Sequence, residues 1–171
     1  GQGRVQGGGP RQTDRLRVVA MSTESAILGR WLAVALTVYG EGVAALALHE
    51  ADPFRNPVGV SLRTELGVLV RELLGGMDQV AIDAACTELM AVRAVQDLSV
   101  PQALDFIFEL RAIVRAELPG VAPEPMDARI DRLAMAGFVA YLRRREQMSE
   151  LRLNERLRGL GPLPYRLRNT A

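Results

Sequence analysis

A chain of 171 residues with 49% apolar residues is the size of one domain and can bury a core without disulfides or metals. Its formal net charge is +1, and its 21 basic residues are all arginine, so no global field draws it onto nucleic acid or an anionic membrane. The single cysteine, Cys86, excludes an internal disulfide and a cysteine metal cluster and fits a reducing cytoplasm. Aromatics at 5% leave Ala, Leu and Val to fill the interior, which suits helix–helix packing.

Residues 1–20 are rich in Gly, Gln and Arg and show no periodicity, so a tail that cannot fold alone is predicted there, with Met21-Ser22 as an alternative start. From Thr23 a helical rhythm begins, with Ile27, Leu28, Trp31, Leu32, Ala35, Leu36 and Tyr39 on one face. Gly40 and Gly42 interrupt it, and Val43 to Glu50 form a second, short piece. The apolar stretch from Trp31 to Leu48 is cut by Gly40-Glu41-Gly42 and falls short of the roughly 20 continuous residues a bilayer requires, so no membrane insertion is expected. No signal-peptide core precedes Met21. Asp52 to Pro57 is a turn, because its two prolines prevent helix continuation.

A third helix from about Val58 to Leu74 stops at Gly75-Gly76. Asp78 can cap a fourth through about Arg93, with Val80, Ala84, Leu89 and Val92 on its apolar side. After a break at Gln96-Asp97-Leu98, Ser99 opens a fifth, with Gln102 completing a capping box and Pro101 in the first turn. Leu104, Ile107, Phe108, Leu110, Ile113, Val114 and Leu118 supply its core face, and Pro119-Gly120 ends it. The last helix runs from about Pro125 to Leu157, on the order of 50 Å, longer than a domain of this size is wide. Its apolar face is broad at Ile130, Leu133, Ala134, Phe138, Tyr141 and Leu142, then narrows to Met148, Leu151 and Leu153 among charges. A narrowing stripe on an overlong helix predicts that it leaves its domain and meets another chain. No strand pattern occurs. The expected fold is all-α, about six helices with a long protruding C-terminal one, divided into a tail over 1–21, a domain over 22–158 and a short basic tail over 159–171.

The same sequence is poor in chemistry. His49 is the only histidine, and Pro53 stands where a zincin motif needs the second one, so a solvent-exposed or capping role is expected. There is no lysine for a phosphate loop, no GxGxxG, and no serine in a nucleophile elbow. Asp127 and Asp131, with Arg129 and Arg132 beside them, read as a solvated salt-bridge face near a helix N-terminus rather than an acid–base pair. Arg143-Arg144-Arg145 is followed by Glu146 and Glu150 at helical spacing, which reads as an ion-pair face and not a nucleic-acid patch. Cys86, beside Ile82, Ala85 and Leu89, reads as a small buried hydrophobe. Arg93, Gln96, Asp97 and Ser99 form a polar junction where one helix ends and the next begins among apolar residues. There Arg93 can donate to carbonyls or to Asp97, while Asp97 and Ser99 accept from the following amides. The group can alternatively line a ligand or partner surface. No catalytic, metal or cofactor-binding residue is expected, and the chain is not expected to be an enzyme.

Four separated segments carry a family resemblance: Asp52-Pro53-Phe54-Arg55-Asn56-Pro57-Val58-Gly59; Arg93 to Ser99 with Gln102-Ala103-Leu104; Asp127 to Leu133; and Arg145-Glu146 to Glu155. Together they resemble the N-terminal domain of RsbT co-antagonist proteins of the RsbRD type, over about Ile27 to Glu155. The resemblance implies a non-haem globin fold, a dimer, and a sensory or scaffolding role in bacterial stress signalling. Full-length members continue into a STAS domain that binds a regulatory kinase; none follows Leu157 here, so kinase capture is not expected of this chain. Haem is not expected either, because no histidine lies between Asp78 and Pro119 and His49 comes too early. The expected function is therefore a cytoplasmic regulatory or scaffolding module that contacts itself or a larger assembly, with Trp31, Phe138, Tyr141, Met148 and Leu151 at the interface. The alternatives are an accessory subunit docked on the cytoplasmic side of a larger complex, a redox assembly being one such case, and a small-ligand sensor.

Overall fold

Helical periodicity without strand alternation becomes, in the computed structural model, six α-helices and no strand among the described residues, which are 12–52, 54–94 and 98–159. They are α1 (Gln12–Leu36), α2 (Glu41–His49), α3 (Pro57–Leu74), α4 (Gln79–Ala94), α5 (Val100–Glu117) and α6 (Pro123–Gly159), with one 3-10 turn over Thr37–Tyr39. α6 packs on α4 and α5, α3 on α4 and α1, and α1 on α5. The core runs between them, from Ile27, Trp31 and Leu36 through Leu66, Leu73, Leu89 and Leu110 to Ile130 and Leu133.

The joints follow from local chemistry. Gly40 has φ 82°, a conformation that costs an L side chain strain, and it turns the chain from the 3-10 turn into α2. Asn56 then secures the next corner while almost fully buried. Its Oδ1 accepts from the Gly59 amide at 2.9 Å, capping α3, and its Nδ2 donates to the carbonyls of Ala47 (3.0 Å) and Glu50 (2.7 Å) at the end of α2. Pro57 occupies the first turn, where its missing amide hydrogen costs nothing. Between α3 and α4, Met77 takes φ 56° and its amide donates to the Glu72 carbonyl at 3.1 Å, while Asp78 Oδ1 accepts from the Val80 amide at 3.1 Å. Arg129 of α6 supplies two further bonds, to the carbonyls of Leu73 (2.7 Å) and Gly75 (2.9 Å), where α3 has run out of amides.

Three features differ from the sequence reading. α1 begins at Gln12, so residues 12–20 are helical. A helix satisfies its backbone locally and needs no burial to do so: Val19 and Met21 are exposed, and from Val19 onward the first buried residue of α1 is Ile27. On α4 the buried face is Ile82, Ala85, Cys86, Leu89, Met90 and Arg93, leaving Val80 and Ala84 exposed. Ile82, Ala85, Cys86 and Leu89 are the apolar group expected around the cysteine, and Arg93 continues their stripe in place of Val80 and Ala84. On α5 the inward aromatic is Phe106, whereas Phe108 is 45% exposed, two residues being more than half a helical turn apart.

Val19–Tyr39 has the length and hydropathy to cross a bilayer. Here its Ile27, Trp31, Leu32, Ala35 and Leu36 side chains sit in the core against α3 and α5. In α6, no side chain is buried from Leu142 onward.

A Cβ added at Gly59 would meet the Asn56 amide and lie 2.7 Å from the Ala47 carbonyl oxygen, so α2 and α3 cross there on a bare backbone. Gly59→Ala is expected to lower stability by about 1–3 kcal/mol, as overpacking does. Gly29→Ala, at an exposed helical position with open space around it, should instead raise it by about 0.5–1 kcal/mol. Urea melts of the two variants beside the parent check both signs.

Candidate functional site

Arg93 lies in the last turn of α4 with only 1% of its surface exposed. Its Nε donates to the Ala103 carbonyl (3.1 Å), Nη1 to Ala35 (3.0 Å) and Nη2 to Gln102 (3.1 Å). The guanidinium carbon also sits 4.3 Å from the Phe106 ring centroid and 5.7 Å from that of Tyr39. One planar fork thus holds the end of α1, the end of α4 and the first turns of α5. Burial pulls the guanidinium below the ordinary arginine range, and the nearby Tyr39 phenol opposes that shift. Burial likewise pushes Tyr39 up, with the Arg93 charge opposing.

Of the four residues expected at the junction, Arg93 and Ser99 are described, and Gln96 and Asp97 lie outside the described residues. Gln102 Oε1 accepts from both the backbone amide (3.0 Å) and the hydroxyl (2.9 Å) of Ser99. Arg93 is satisfied by three carbonyls of two other helices, and nothing in a sequence marks a carbonyl as a partner. A cavity of about 300 Å³ beside the guanidinium is lined by Thr37, Arg93, Gln102, Asp105 and Glu109.

Two of the five residues expected at an interface belong to the interior instead. Trp31 is fully buried, donates from Nε1 to the Phe106 carbonyl at 2.7 Å, and stacks on the Phe106 ring at 5.6 Å. Tyr141 is 3% exposed and donates to the Leu98 carbonyl at 2.8 Å. Each aromatic spends its polar handle on a backbone carbonyl of its own chain and offers no surface to another. Phe138 and Leu151 are exposed, at 37% and 61%, and Met148 is half-buried.

Around Phe138 lies what the sequence reading missed. A groove of about 530 Å³ between α5 and α6 is lined by Val100, Leu104, Phe108, Ala134, Met135 and Phe138, with Asp105 and Asp131 among the polar residues there. The sequence pattern places Phe108 inside. Met135 is among the most exposed large apolar residues at 62%, and by itself it marks nothing, because single exposed apolar residues are common. Only their convergence across two helices makes a patch.

The acidic face is surface structure. Arg111 pairs with Asp131, and Arg115 with Asp127 at 2.6 Å, so these carboxylates join α6 to α5 rather than pairing along α6. Arg132 donates to Gln79 at 3.1 Å and Arg129 caps α3. His49 is exposed at the end of α2. Among the described residues, no group of three or more His, Cys, Asp or Glu side chains is placed to hold a metal ion. Comparison with protein-family models, with curated proteins and with solved structures finds no match.

Arg93→Ala is expected to destabilise by about 3–5 kcal/mol, the scale for removing a buried hydrogen-bonded charge with its packing. Asp127→Ala, in a partly exposed ion pair, should cost at most about 1 kcal/mol, and urea titration of both variants measures the contrast. The fully buried Cys86 thiol is pushed up to about 12 by burial, with the Asp83 charge adding to the shift. A chromogenic disulfide reagent at pH 8 should therefore titrate no thiol in the native protein and one after unfolding.

Proposed function

We propose that this chain is a non-catalytic regulatory or scaffolding module of the cytoplasm, with a globin-like helix arrangement, that acts by contact with a protein. The observation that carries the reading is the apolar groove between α5 and α6, lined by exposed Phe108, Met135 and Phe138. Soluble chains rarely keep a contiguous apolar patch in water unless something covers it. α6 adds a second support, because beyond Tyr141 no residue of it is fully buried and only Arg144 and Met148 are half-buried. Most helical stability comes from packing an apolar face, so a solvated extension of this length gains from a partner.

The resemblance to RsbRD-type N-terminal domains supplies the class. Three of its four segments contain the side chain that ties off another helix: Asn56 for α2, Arg93 for α1, and Arg129 for α3. A set of motifs that coincides with the joints is what a shared fold would preserve. In that family the module is a sensory or scaffolding part of bacterial stress signalling, and we extend that role to this chain.

Mutation of the groove separates contact from stability. Met135 is exposed, so Met135→Glu should shift stability by no more than about 0.5 kcal/mol. Native purification of the tagged full chain, followed by chemical cross-linking and mass spectrometry, should recover cross-links at α5 and α6 that Met135→Glu and Phe108→Glu remove. Unchanged cross-links in variants that melt like the parent would reject the reading.

A further inference from the structure

The cavity beside Arg93 carries charge of both signs, sorted along its length. It lies between the end of α1 with its 3-10 turn and one face of α5, where Gln102, Asp105, Phe106 and Glu109 follow at helical spacing. The guanidinium of Arg93 is tied to the Gln102 and Ala103 carbonyls, so it stands at the end where α5 begins. Along the helix axis Asp105 lies about 5 Å beyond Gln102, and Glu109 about 10 Å. Val34, Val38 and Phe106 give the space between an apolar wall. Gln102, Asp105 and Glu109 are exposed, so the cavity is open to solvent over its polar side.

Both charged ends lack a counter-charge. A buried charge is normally paired with one of opposite sign, yet the three bonds of Arg93 go to neutral carbonyls. Among the described residues no carboxylate forms an ion pair with it. At the other end, Asp105 and Glu109 stand four residues apart on one face, a spacing at which like charges destabilise a helix. Glu117, Asp127 and Asp131 nearby are each paired with an arginine, whereas among the described residues Asp105 and Glu109 form no ion pair.

We propose that this cavity binds a small zwitterion, an amino carboxylate whose two charges are separated by a short aliphatic chain. Its carboxylate lies at the Arg93 end, where a guanidinium with five N–H donors accepts a further partner through charge-assisted hydrogen bonds. Gln102, whose Oε1 is taken by Ser99, keeps its Nε2 as a second donor there. The ammonium lies between Asp105 and Glu109 and removes their repulsion, and the chain between the two charges lies along Val34, Val38 and Phe106. A molecule with only one of the charges would satisfy one end and leave the other as it was. Asp105 lines the α5–α6 groove as well, so the site adjoins the contact surface without including its apolar centre. Binding here needs no partner protein, and its test stands apart from the contact role.

Calorimetric titration of the full chain with 5-aminopentanoate at low ionic strength should show one saturable site. The fluorescence of Trp31, the one tryptophan, should change in step, because its ring stacks on Phe106. Pentanoate and pentylamine keep the chain and one charge each, and both should bind about tenfold more weakly or worse, the scale of one lost hydrogen bond to a charged group. Asp105→Asn and Glu109→Gln should each weaken 5-aminopentanoate by about the same factor without weakening pentanoate. Both side chains are exposed, so the variants should melt in urea like the parent. Three results overturn the proposal. No saturable binding of 5-aminopentanoate removes the ligand class. Pentylamine binding as tightly as 5-aminopentanoate reduces the site to a cation patch in which Arg93 has no part. Variants that bind like the parent put the site elsewhere.

Discussion

The Arg93 guanidinium sets the geometry on which the rest of the helix packing depends. Taking a charged group out of water costs several kcal/mol, so it persists only where hydrogen bonds replace its hydration. Here the replacements are backbone carbonyls of Ala35, Gln102 and Ala103, with the Phe106 face beneath. Ala35 lies in the last turn of α1, where carbonyls lack amide partners. The flat, forked guanidinium presents its donors in fixed directions, and a lysine could not bond three carbonyls of two further helices in this way. Once α1 and α5 are held at that corner, Trp31 falls on Phe106 and the Phe106 carbonyl comes within reach of the indole.

Much of the architecture is legible wherever the chain turns. Asn56 before Pro57, Gly75-Gly76, Asp78, and Ser99 with Gln102 each act through bonds to residues a few positions away, so their meaning is local and survives without a structure. What is lost is orientation. Arg93 occupies an apolar slot and continues the α4 stripe, and Phe106 and Phe108 exchange inside for outside because composition cannot choose between them. Trp31 and Tyr141 look like contact aromatics in sequence for the reason that they suit a buried joint, each having an apolar body and one polar atom. The carbonyl that claims that atom is invisible until the helices are placed.

The exposed seam has the same origin in packing. The inward face of α6 carries Ala134, Ala136, Gly137 and Ala140 beside Ile130 and Leu133, and small residues let neighbouring helices come close. At Gly137 an added Cβ would stand 2.8 Å from Ile107 Cδ1. With the interior served by small side chains, the bulky Met135, Phe138 and Leu142 are turned to the outside. The reversal of the usual size order across a helix is the sign, visible in sequence only in retrospect, that its outer surface has its own use.

The two exposed helical ends also have a mechanical meaning. Arg30 of α1 pairs with Glu117 at the C-terminal end of α5, whereas Tyr141 of α6 bonds Leu98 just before α5 begins. The early turns of α1 and the late turns of α6 therefore leave from opposite ends of α5. A pull applied to both would load the bundle in shear along the lengths of α1, α5 and α6, so many side-chain contacts would have to yield together rather than one after another.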